Sequence, residues 1–596
     1  LVNHCLGGQV SLLFDGFVIQ QVIAECASTH ELAGAGCLEP LGGSFAGLQL
    51  GHCSARPDTN DNNTSLRDPD GMTRWIALSL LMWLPGGCSA QNLTPPVAES
   101  APTLVSPDPL PERQAEPRTH RAVAEPPSIQ GDNPVLWVSL ASRLGVLESS
   151  PSLNLQSAGS APLVLRDASG AEWSDSALRL RWRRMPLDQS QVLARQVAGP
   201  FASFESADRV AQRWRAVGAP ALVAHPQDWE VWAPPGAPAP EDLELRSWSK
   251  TLDAVVQPVL ETADGSVLLK GPLKIQAADG LRWNRGVFQG PFRLQRDAYE
   301  SWTLVEQVPV ERYLEGVVPH EIGAGSPTSA LQAQTVLART WALANSHRFR
   351  IDGYHLCSDT QCQVYSDPRQ AGPAVREAIA ATSGQLLSWL RQPISAVYHA
   401  SNGGVMAAGP EAWSMDPQPY LKAKPDGDES WRARHTLPLN NREAVTALLA
   451  DGDGAYGRNH PRFRWSRSLR AAELRRALGQ EGLVLQDPLR LEVVERGTSG
   501  RVLSLKISGA SDASPVILRL DQIRRTLRSL PSTLFVIDSV APQEWIVRGG
   551  GFGHGAGLSQ AGAIDLARWG WSAERILSHY YPGAVYGPLP QPLESP

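Results

Sequence analysis

The sequence predicts a multi-domain α+β protein in which helices and antiparallel sheets surround a groove. Its 596 residues are more than one hydrophobic core usually serves, so about two to four domains are expected. Residues 134–310 contain short segments of alternating apolar and polar residues separated by turn residues, which is typical of β-strands. Residues 326–344 instead place apolar side chains at steps of three and four, which predicts a helix.

The predicted helix starts at Ser326 and Pro327, because a hydroxyl can cap free amides and a proline ring presets the first helical φ. Gln332, Thr335 and Arg339 fall on a separate face, from which they can line the groove. The apolar residues that form one buried stripe are Ala330, Ala333, Leu337, Trp341 and Ala344.

A carboxylate stands just before this helix. Glu321 lies between the apolar run 314–318 and the turn residues Gly323 and Gly325, so it is a candidate for partial burial. Partial burial raises the pKa of a carboxyl group and keeps its proton bound near neutrality, as a general acid needs. From the spacing alone, the alternative is a helix-start carboxylate stabilised by the helix dipole.

Composition excludes one broad class of partner. Charged residues make up 19% of the chain and the formal net charge is -6, so no global basic field attracts nucleic acid. An uncharged sugar polymer is compatible with this mild acidity. The hydrophobic content of 42% is ordinary for a globular protein.

The first 133 residues carry signals of processing and tethering. Residues 1–71 hold four of the seven cysteines and are predicted to be an over-extended, unstructured start, with translation beginning at Met72. Residues 72–90 contain an apolar run and small residues, which predicts a signal peptide. The glycine pair before Cys88 resembles a lipoprotein cleavage box, and simple cleavage without lipidation is the alternative. Residues 91–133 are rich in Pro, Ala, Glu and Ser and predict a disordered linker. We therefore expect export to the periplasm or cell envelope.

Two cysteines, with four residues between them, lie in the segment 353–367. In an exported protein, a disulfide between Cys357 and Cys362 is the first alternative. A zinc site that uses both thiolates with His355 or His347 is the second, and free thiols are the third. Zinc is the one cofactor that the sequence suggests, and none is required.

A polar strand tip and a glycine-rich loop follow. The tip can present hydroxyl, amide and ring surfaces to sugar, while its glycines allow close backbone approach. A turn that satisfies its own backbone is the alternative. The loop 549–560 lacks the Lys-Ser/Thr of a P-loop, so nucleotide binding is not expected. The candidate residues are Tyr398, His399, Ser401, Asn402 and Gly404 in the tip, and His554, Ser559 and Gln560 in the loop.

Three blocks of sequence resemble the SpoIID/LytB family, and they occur in the family's order. The first combines VPVERYLEGVVPHE (308–321) with ALQAQTVLARTWA (330–342). The others are AVYHASNGGVMAAGPEAW (396–413) and GGGFGHGAGLSQAGAIDLARWG (549–570). The resemblance covers roughly half of the chain. The family's catalytic glutamate follows a Val-x-Pro motif, and Glu321 stands at that position.

The resemblance implies an exported lytic transglycosylase that cleaves MurNAc–GlcNAc bonds of peptide-free peptidoglycan strands. Glu321 would act as the single general acid and base, with Arg339 and Tyr398 orienting it or the sugar. The implied glycan contacts are His399, Ser401, Asn402, Gly404, His554, Ser559 and Gln560. Some members of the family have a Cys/Cys/His zinc site, so the resemblance also implies Cys357, Cys362 and His355 as possible zinc ligands. The alternative that the resemblance implies is a non-catalytic wall-binding protein that enhances an amidase.

The remaining regions complete the predicted domain organisation. Residues 134–250 are expected to be β-rich. Within them, a strand, helix, strand, strand pattern with its helix around 205–217 weakly resembles the SPOR peptidoglycan-binding domain. A plain α+β adaptor is the alternative. Residues 251–424 and 546–590 are predicted to form the two parts of the SpoIID core, separated by an inserted scaffold over 425–545.

Overall fold

The computed structural model describes residues 118–131, 133–510 and 514–588, which all belong to one compact unit. The predicted unstructured start, the signal peptide and Cys88 lie outside the described residues, as does most of the linker. Within the described part, no helix has both the length and the apolarity to cross a bilayer. The predicted α+β class is confirmed, because helices and antiparallel sheets both occur.

Strands dominate the region before residue 310. One helix, α1 (Phe204–Ala216), lies among them and is capped by Ser203, whose hydroxyl accepts from the amide of Ser206. In chain order the strands are β1 (Val135–Leu144), β2 (Leu153–Ser157), β3 (Leu163–Arg166), β4 (Glu172–Asp175), β5 (Ala177–Phe201), β6 (Leu222–Ala224), β7 (Trp229–Ala233), β8 (Arg246–Thr262), β9 (Gly265–Leu268), β10 (Leu273–Ala277), β11 (Leu281–Trp283), β12 (Gly286–Phe288), β13 (Phe292–Arg296) and β14 (Trp302–Pro309).

From residue 310 onwards, helices and short strands alternate. The helices are α2 (Val310–Val318), a π-helical segment (Pro319–Gly323), α3 (Thr328–Ala344), α4 (Pro373–Ala381), α5 (Glu429–Arg434), α6 (Arg442–Ala450), α7 (Ala471–Gln480), α8 (Asp521–Thr526), α9 (Gln560–Arg568) and α10 (Ala573–Tyr580). Short 3₁₀ segments span Arg350–Asp352, Pro368–Gln370 and Gly409–Glu411. The strands are β15 (Leu356–Cys357), β16 (Gln385–Trp389), β17 (Gln392–Pro393), β18 (Tyr398–His399), β19 (Val405–Met406), β20 (Lys424–Pro425), β21 (Arg464–Arg470), β22 (Arg490–Arg496), β23 (Val502–Ser508), β24 (Val516–Arg519), β25 (Phe535–Ala541), β26 (Glu544–Gly550), β27 (Leu558–Ser559) and β28 (Val585–Pro588).

A seven-stranded sheet leads the chain into the site. Its order is β15-β1-β14-β13-β10-β3-β4. Strand β1 pairs antiparallel with β14, with Val135 opposite Pro309, so the end of β14 passes directly into α2. Leu136 and Val138 are fully buried and alternate with more exposed neighbours, as the period of two of a strand requires. This sheet therefore fixes where α2 begins.

A second sheet contains the long strand β5. Its main path is β12-β11-β2-β5-β7-β6, and β8 pairs with β5 and β9. The order β5, α1, β6, β7 agrees with the strand, helix, strand, strand pattern expected from the sequence. The resemblance of this segment to the SPOR domain stays a prediction.

Helix α3 lies in the middle of the helical core, in contact with α2, α4, α9 and α10. The stripe residues Ala330, Ala333, Leu337 and Trp341 are buried as predicted, whereas Ala344 is half-buried. The predicted polar face is wrong, because Thr335 and Arg339 are buried as well and Gln332 is half-buried. Neighbouring helices cover α3 on several sides, which the spacing of its apolar residues does not reveal.

The start of α3 also differs from the prediction. Pro327 takes the N-cap position, and no side chain caps the helix. The Ser326 hydroxyl instead donates to the carbonyl of Ile322 at 2.7 Å. Ser326 therefore closes the turn after the π-helical segment rather than capping α3.

Residues 425–545 contain a hydrophobic core of their own. The three-stranded sheet β22-β23-β24 lies here, and β21 and β25 pair with β26, which continues to Gly550. Helices α5, α6, α7 and α8 also lie in this region. The buried residues include Leu474, Leu478, Leu505, Ile507 and Phe535. The predicted domain boundaries remain predictions.

Candidate active site

Glu321 lies in the π-helical segment between α2 and α3. Pro319 lacks a backbone N–H and so interrupts the hydrogen-bond pattern of α2 at this point. Short π-helical turns of this kind are frequent at functional sites. Gly323 ends the segment with a φ of +82°, a conformation that favours glycine. Glu321 is half-buried, while its neighbour Ile322 is fully buried in the core.

Two hydrogen bonds hold the carboxyl group of Glu321. The amide of Val364 donates to Oε1 at 3.3 Å, and the hydroxyl of Tyr398 donates to the carboxylate. Desolvation by burial raises the pKa of Glu321 to about 7, and the two hydrogen bonds oppose this rise. Glu321 is thus partly buried, as the sequence predicts, and its carboxyl group keeps its proton close to neutral pH.

Gln363 connects the site to the helical core. Its Nε2 donates to the Tyr398 hydroxyl at 3.0 Å and to the carbonyl of Ala338 at 3.3 Å. Its Oε1 accepts from the hydroxyl of Tyr313 at 3.1 Å. Gln363 and Tyr313 are both buried. The sequence does not single out Gln363, Val364 or Tyr313 as site residues, although the first two directly follow Cys362.

The glycine-rich loop approaches the site through His554 and Gln560. His554 Nε2 donates to the carbonyl of Tyr398 at 2.8 Å, and His554 Nδ1 accepts from the amide of Ala556. Desolvation lowers the pKa of His554 to about 3, so the ring is neutral. Gln560 Nε2 donates to the backbone carbonyl of Glu321 at 3.1 Å. The predicted proximity of the strand tip, the loop and Glu321 is present in the structure.

Most of the predicted sugar contacts in the strand tip face inward. Asn402 is fully buried, and its Nδ2 donates to Asp426 at 2.6 Å while its Oδ1 accepts from the amide of Gly404. A Cβ on Gly404 would lie 2.5 Å from the Trp431 ring. Ser401 is buried too, and its hydroxyl accepts from the amide of Gly403. These predictions are corrected, because the polar groups satisfy the turn itself.

His399 and Ser559 are also structural rather than open to a ligand. The ring of His399 is 5% exposed, and its Nδ1 donates to the carbonyl of Ala556 at 3.2 Å. The hydroxyl of Ser559 caps α9 by accepting from the amide of Gly562. Their predicted role in sugar binding is corrected as well, since both side chains lie within the packed junction of β18 and β27.

Arg339 does not orient Glu321. Its guanidinium is 1% exposed and forms two hydrogen bonds of 2.7 Å with the carboxylate of Glu311. Its Nη1 donates to the carbonyl of Gln385 at 3.0 Å. The predicted catalytic role is therefore corrected to a structural one, in which Arg339 joins α2, α3 and β16. Bidentate pairing of this kind suits the planar guanidinium.

Cys357 and Cys362 form a disulfide, with 5.7 Å between their Cα atoms. His355 uses both ring nitrogens in hydrogen bonds, accepting from the amide of Trp137 and contacting the carbonyl of Pro127. In the parts of the chain that the structure covers, no group of three or more His, Cys, Asp or Glu side chains fits a metal ion. The residues present therefore do not fit the zinc alternative.

Trp413 flanks the site and was also missed in the sequence. It is half-buried, and its ring centroid lies 4.6 Å from that of His554. Glu411, two residues earlier, is buried and accepts from the amides of Ala408 and Ser499. Glu411 is thus occupied by one amide of its own loop and one from the distant segment that contains Ser499.

The site combines the features that general acid/base chemistry requires. The carboxyl group of Glu321 keeps its proton near neutral pH, and the hydroxyl of Tyr398 and the amide of Val364 orient it. The loop that carries the neutral His554 lies beside Tyr398. Residues 298–389, which contain Glu321, match the family described as Stage II sporulation protein. Residues 407–557 match a domain of unknown function, DUF8618. The match over residues 298–389 supports the assignment of the region around Glu321 to the SpoIID/LytB family.

Curated relatives match about half of the chain. The amidase enhancer of Bacillus subtilis (strain 168) is 29% identical over 299 residues, 46% of this chain and 40% of that protein. Stage II sporulation protein D of Bacillus amyloliquefaciens is 28% identical over 302 residues, 47% of this chain and 74% of that protein. The corresponding protein of Bacillus subtilis (strain 168) is 26% identical over 302 residues, with the same two shares. These relatives support a role related to the cell wall.

Proposed function

We propose that this chain cleaves the MurNAc–GlcNAc bonds of peptide-free peptidoglycan strands as a lytic transglycosylase. One observation carries the proposal: Glu321 is half-buried, oriented by two hydrogen bonds, and has a pKa raised to about 7 by desolvation. A carboxylic acid with a pKa near the working pH is suited to give up a proton and to take one back.

The proposed reaction uses this one group twice. The protonated Glu321 donates its proton to the glycosidic oxygen, the bond from that oxygen to the MurNAc C1 breaks, and GlcNAc leaves with a free hydroxyl. The Glu321 carboxylate then takes the proton of the MurNAc 6-hydroxyl while that oxygen bonds to C1. The product is a 1,6-anhydro sugar, Glu321 is protonated again, and no water is consumed.

The surroundings of Glu321 favour this route over the two-carboxylate hydrolysis of many glycosidases. Among the described residues, no second carboxylate shifts the pKa of Glu321. Glu411, the acidic residue of the matched block 396–413, is occupied by backbone amides. The rings of Trp413 and His554 lie next to each other, tilted by 42°, and His554 contacts the carbonyl of Tyr398. Aromatic side chains suit the apolar face of a sugar.

Location and anchoring belong to the same proposal. A substrate in the cell wall requires export, for which the segment 72–90 is the proposed signal. We include lipid attachment at Cys88 as a proposal, with the part of the proline-rich linker before Arg118 as the tether between anchor and catalytic core.

The rate of glycan cleavage should fall as the pH rises through about 7. A raised pKa means that Glu321 is protonated below this value, and only the protonated form can start the reaction. The measurement is the initial rate of product release from peptide-free strands between pH 5 and 9. A rate that stays constant up to pH 9 would contradict the assignment of Glu321 as the acid.

A second candidate function is suggested by the name of the Bacillus subtilis relative, amidase enhancer. In this case the chain binds peptidoglycan without cutting it and stimulates an amidase. Incubation of the purified protein with peptide-free strands separates the two, because such strands hold no amide bond for an amidase. Anhydro-disaccharides found by mass spectrometry support the transglycosylase. Uncut strands, together with faster peptide release when an amidase acts on intact sacculi, support the enhancer.

A further inference from the structure

We propose that Gln363 is a positioning residue that directs the phenolic proton of Tyr398 toward the carboxylate of Glu321. The inference deepens the proposed function, and only its rate measurement rests on that function. Gln363 touches no part of the carboxyl group itself. It acts through Tyr398, whose oxygen it contacts at 3.0 Å.

The orientation of the Gln363 amide follows from its acceptor and donor partners. A backbone carbonyl can only accept, so the Gln363 atom that faces the carbonyl of Ala338 must be Nε2. The opposite atom is then Oε1, and it receives the proton of the buried Tyr313 hydroxyl at 3.1 Å. The amide group is therefore fixed from both ends.

This orientation decides where the Tyr398 proton points. The second proton of Nε2 is donated to the Tyr398 oxygen at 3.0 Å. Because that oxygen already accepts a hydrogen bond on this side, its own proton is free to be donated to Glu321. Tyr313, Gln363, Tyr398 and Glu321 thus form one directed chain. Its last bond stabilises the charged form of Glu321, which is the form that takes a proton in the second step.

The position of Gln363 is itself fixed by covalent and hydrogen-bonded neighbours. Cys362 immediately precedes it and is joined to Cys357 at the edge of the seven-stranded sheet. Val364 immediately follows it and donates its amide to Glu321. One short segment therefore supplies both groups that orient the acid, one directly and one through Tyr398.

The test is a direct titration of Glu321 by difference infrared spectroscopy. The carboxyl signal present in the wild-type protein and absent from Glu321→Gln belongs to this residue, and its measurement needs no activity. Gln363→Met removes the amide at nearly constant volume, and Tyr398→Phe removes the donor itself. In each variant we expect the pKa of Glu321 to rise by about one unit, the size of one hydrogen bond to a charged group. The basic limb of the rate profile should move by the same amount.

The double variant and two further proteins make the outcome decisive. Gln363→Met with Tyr398→Phe should shift the pKa no further than Tyr398→Phe alone, because both act through one bond. Gln361→Met is the matched control, since Gln361 is exposed on the same loop and contacts Trp229 instead. Gln363→Asn keeps an amide, but its shorter side chain does not reach Tyr398. This variant replaces Gln363→Met in the test if the Met variant does not fold. An unchanged pKa in the Gln363 variants, beside a raised one in Tyr398→Phe, would overturn the inference. If the pKa of Glu321 rises in the Gln363 variants but the wild-type protein cleaves no glycan, only the proposed function is overturned.

Discussion

Replacement of Glu321 by Gln is expected to lower the rate of glycan cleavage by roughly 10³-fold, within the range that general acid–base catalysis contributes. Gln has nearly the same shape and can still accept the hydrogen bonds from Val364 and Tyr398, but it carries no acidic proton. The substrate should bind as before. The measurement is the release of anhydro-disaccharides from peptide-free strands under saturating conditions.

The matched control for this variant is Glu315→Gln. Glu315 lies on α2, six residues before Glu321, and is also half-buried. Its replacement removes one carboxylate from the same part of the molecule and should leave the rate within about twofold, as a substitution away from the reacting groups usually does. A Glu321→Gln protein that keeps the wild-type rate would exclude Glu321 as the proton donor.

Replacement of Arg339 by Met is expected to destabilise the protein by about 3 kcal/mol, because it leaves part of a buried ion pair without its partner. The carboxylate of Glu311 would lose both of its 2.7 Å bonds to the guanidinium, and the carbonyl of Gln385 would lose a donor. Met fills a similar volume, so the loss is chiefly electrostatic. Chemical denaturation with equal slopes for variant and wild type measures the difference.

A double-variant cycle measures the interaction energy between Glu311 and Arg339 apart from their other contacts. Glu311→Gln alone leaves the buried arginine unpaired, whereas Glu311→Gln with Arg339→Met removes both charges. We expect the double variant to be more stable than the sum of the two single losses predicts, by 1 kcal/mol or more, roughly the size seen for residues in direct contact. Strict additivity would show that Arg339 does not act through Glu311.

The position of the acid was predictable from the sequence, and its orientation was not. An apolar run, a proline and two glycines around Glu321 predict partial burial from local pattern alone. The partners Gln363 and Tyr398 come from segments 42 and 77 residues further along the chain. Only the tertiary fold brings them together, with Gln363 bonded to both Ala338 of α3 and Tyr398 of β18. Contacts of that range leave no local signal.

The polar residues of the strand tip illustrate the opposite error. Ser401, Asn402 and Ser559 are hydrophilic, so the sequence pattern favours exposure and ligand binding. In the structure each is buried and satisfied by a backbone amide. Short polar side chains bond to a nearby backbone as readily as to a ligand, and the pattern alone does not separate the two. Arg339 was misassigned for a related reason, since its partner Glu311 lies on a different helix.

The central claim is that Glu321 moves one proton twice and that no water enters the product. It is tested most directly by cleavage of peptide-free glycan strands in water enriched in oxygen-18, followed by mass spectrometry of the new sugar ends. We predict anhydro ends without the heavy isotope, and none at all from the Glu321→Gln protein. Reducing ends that carry the label would show hydrolysis and contradict the proposed mechanism.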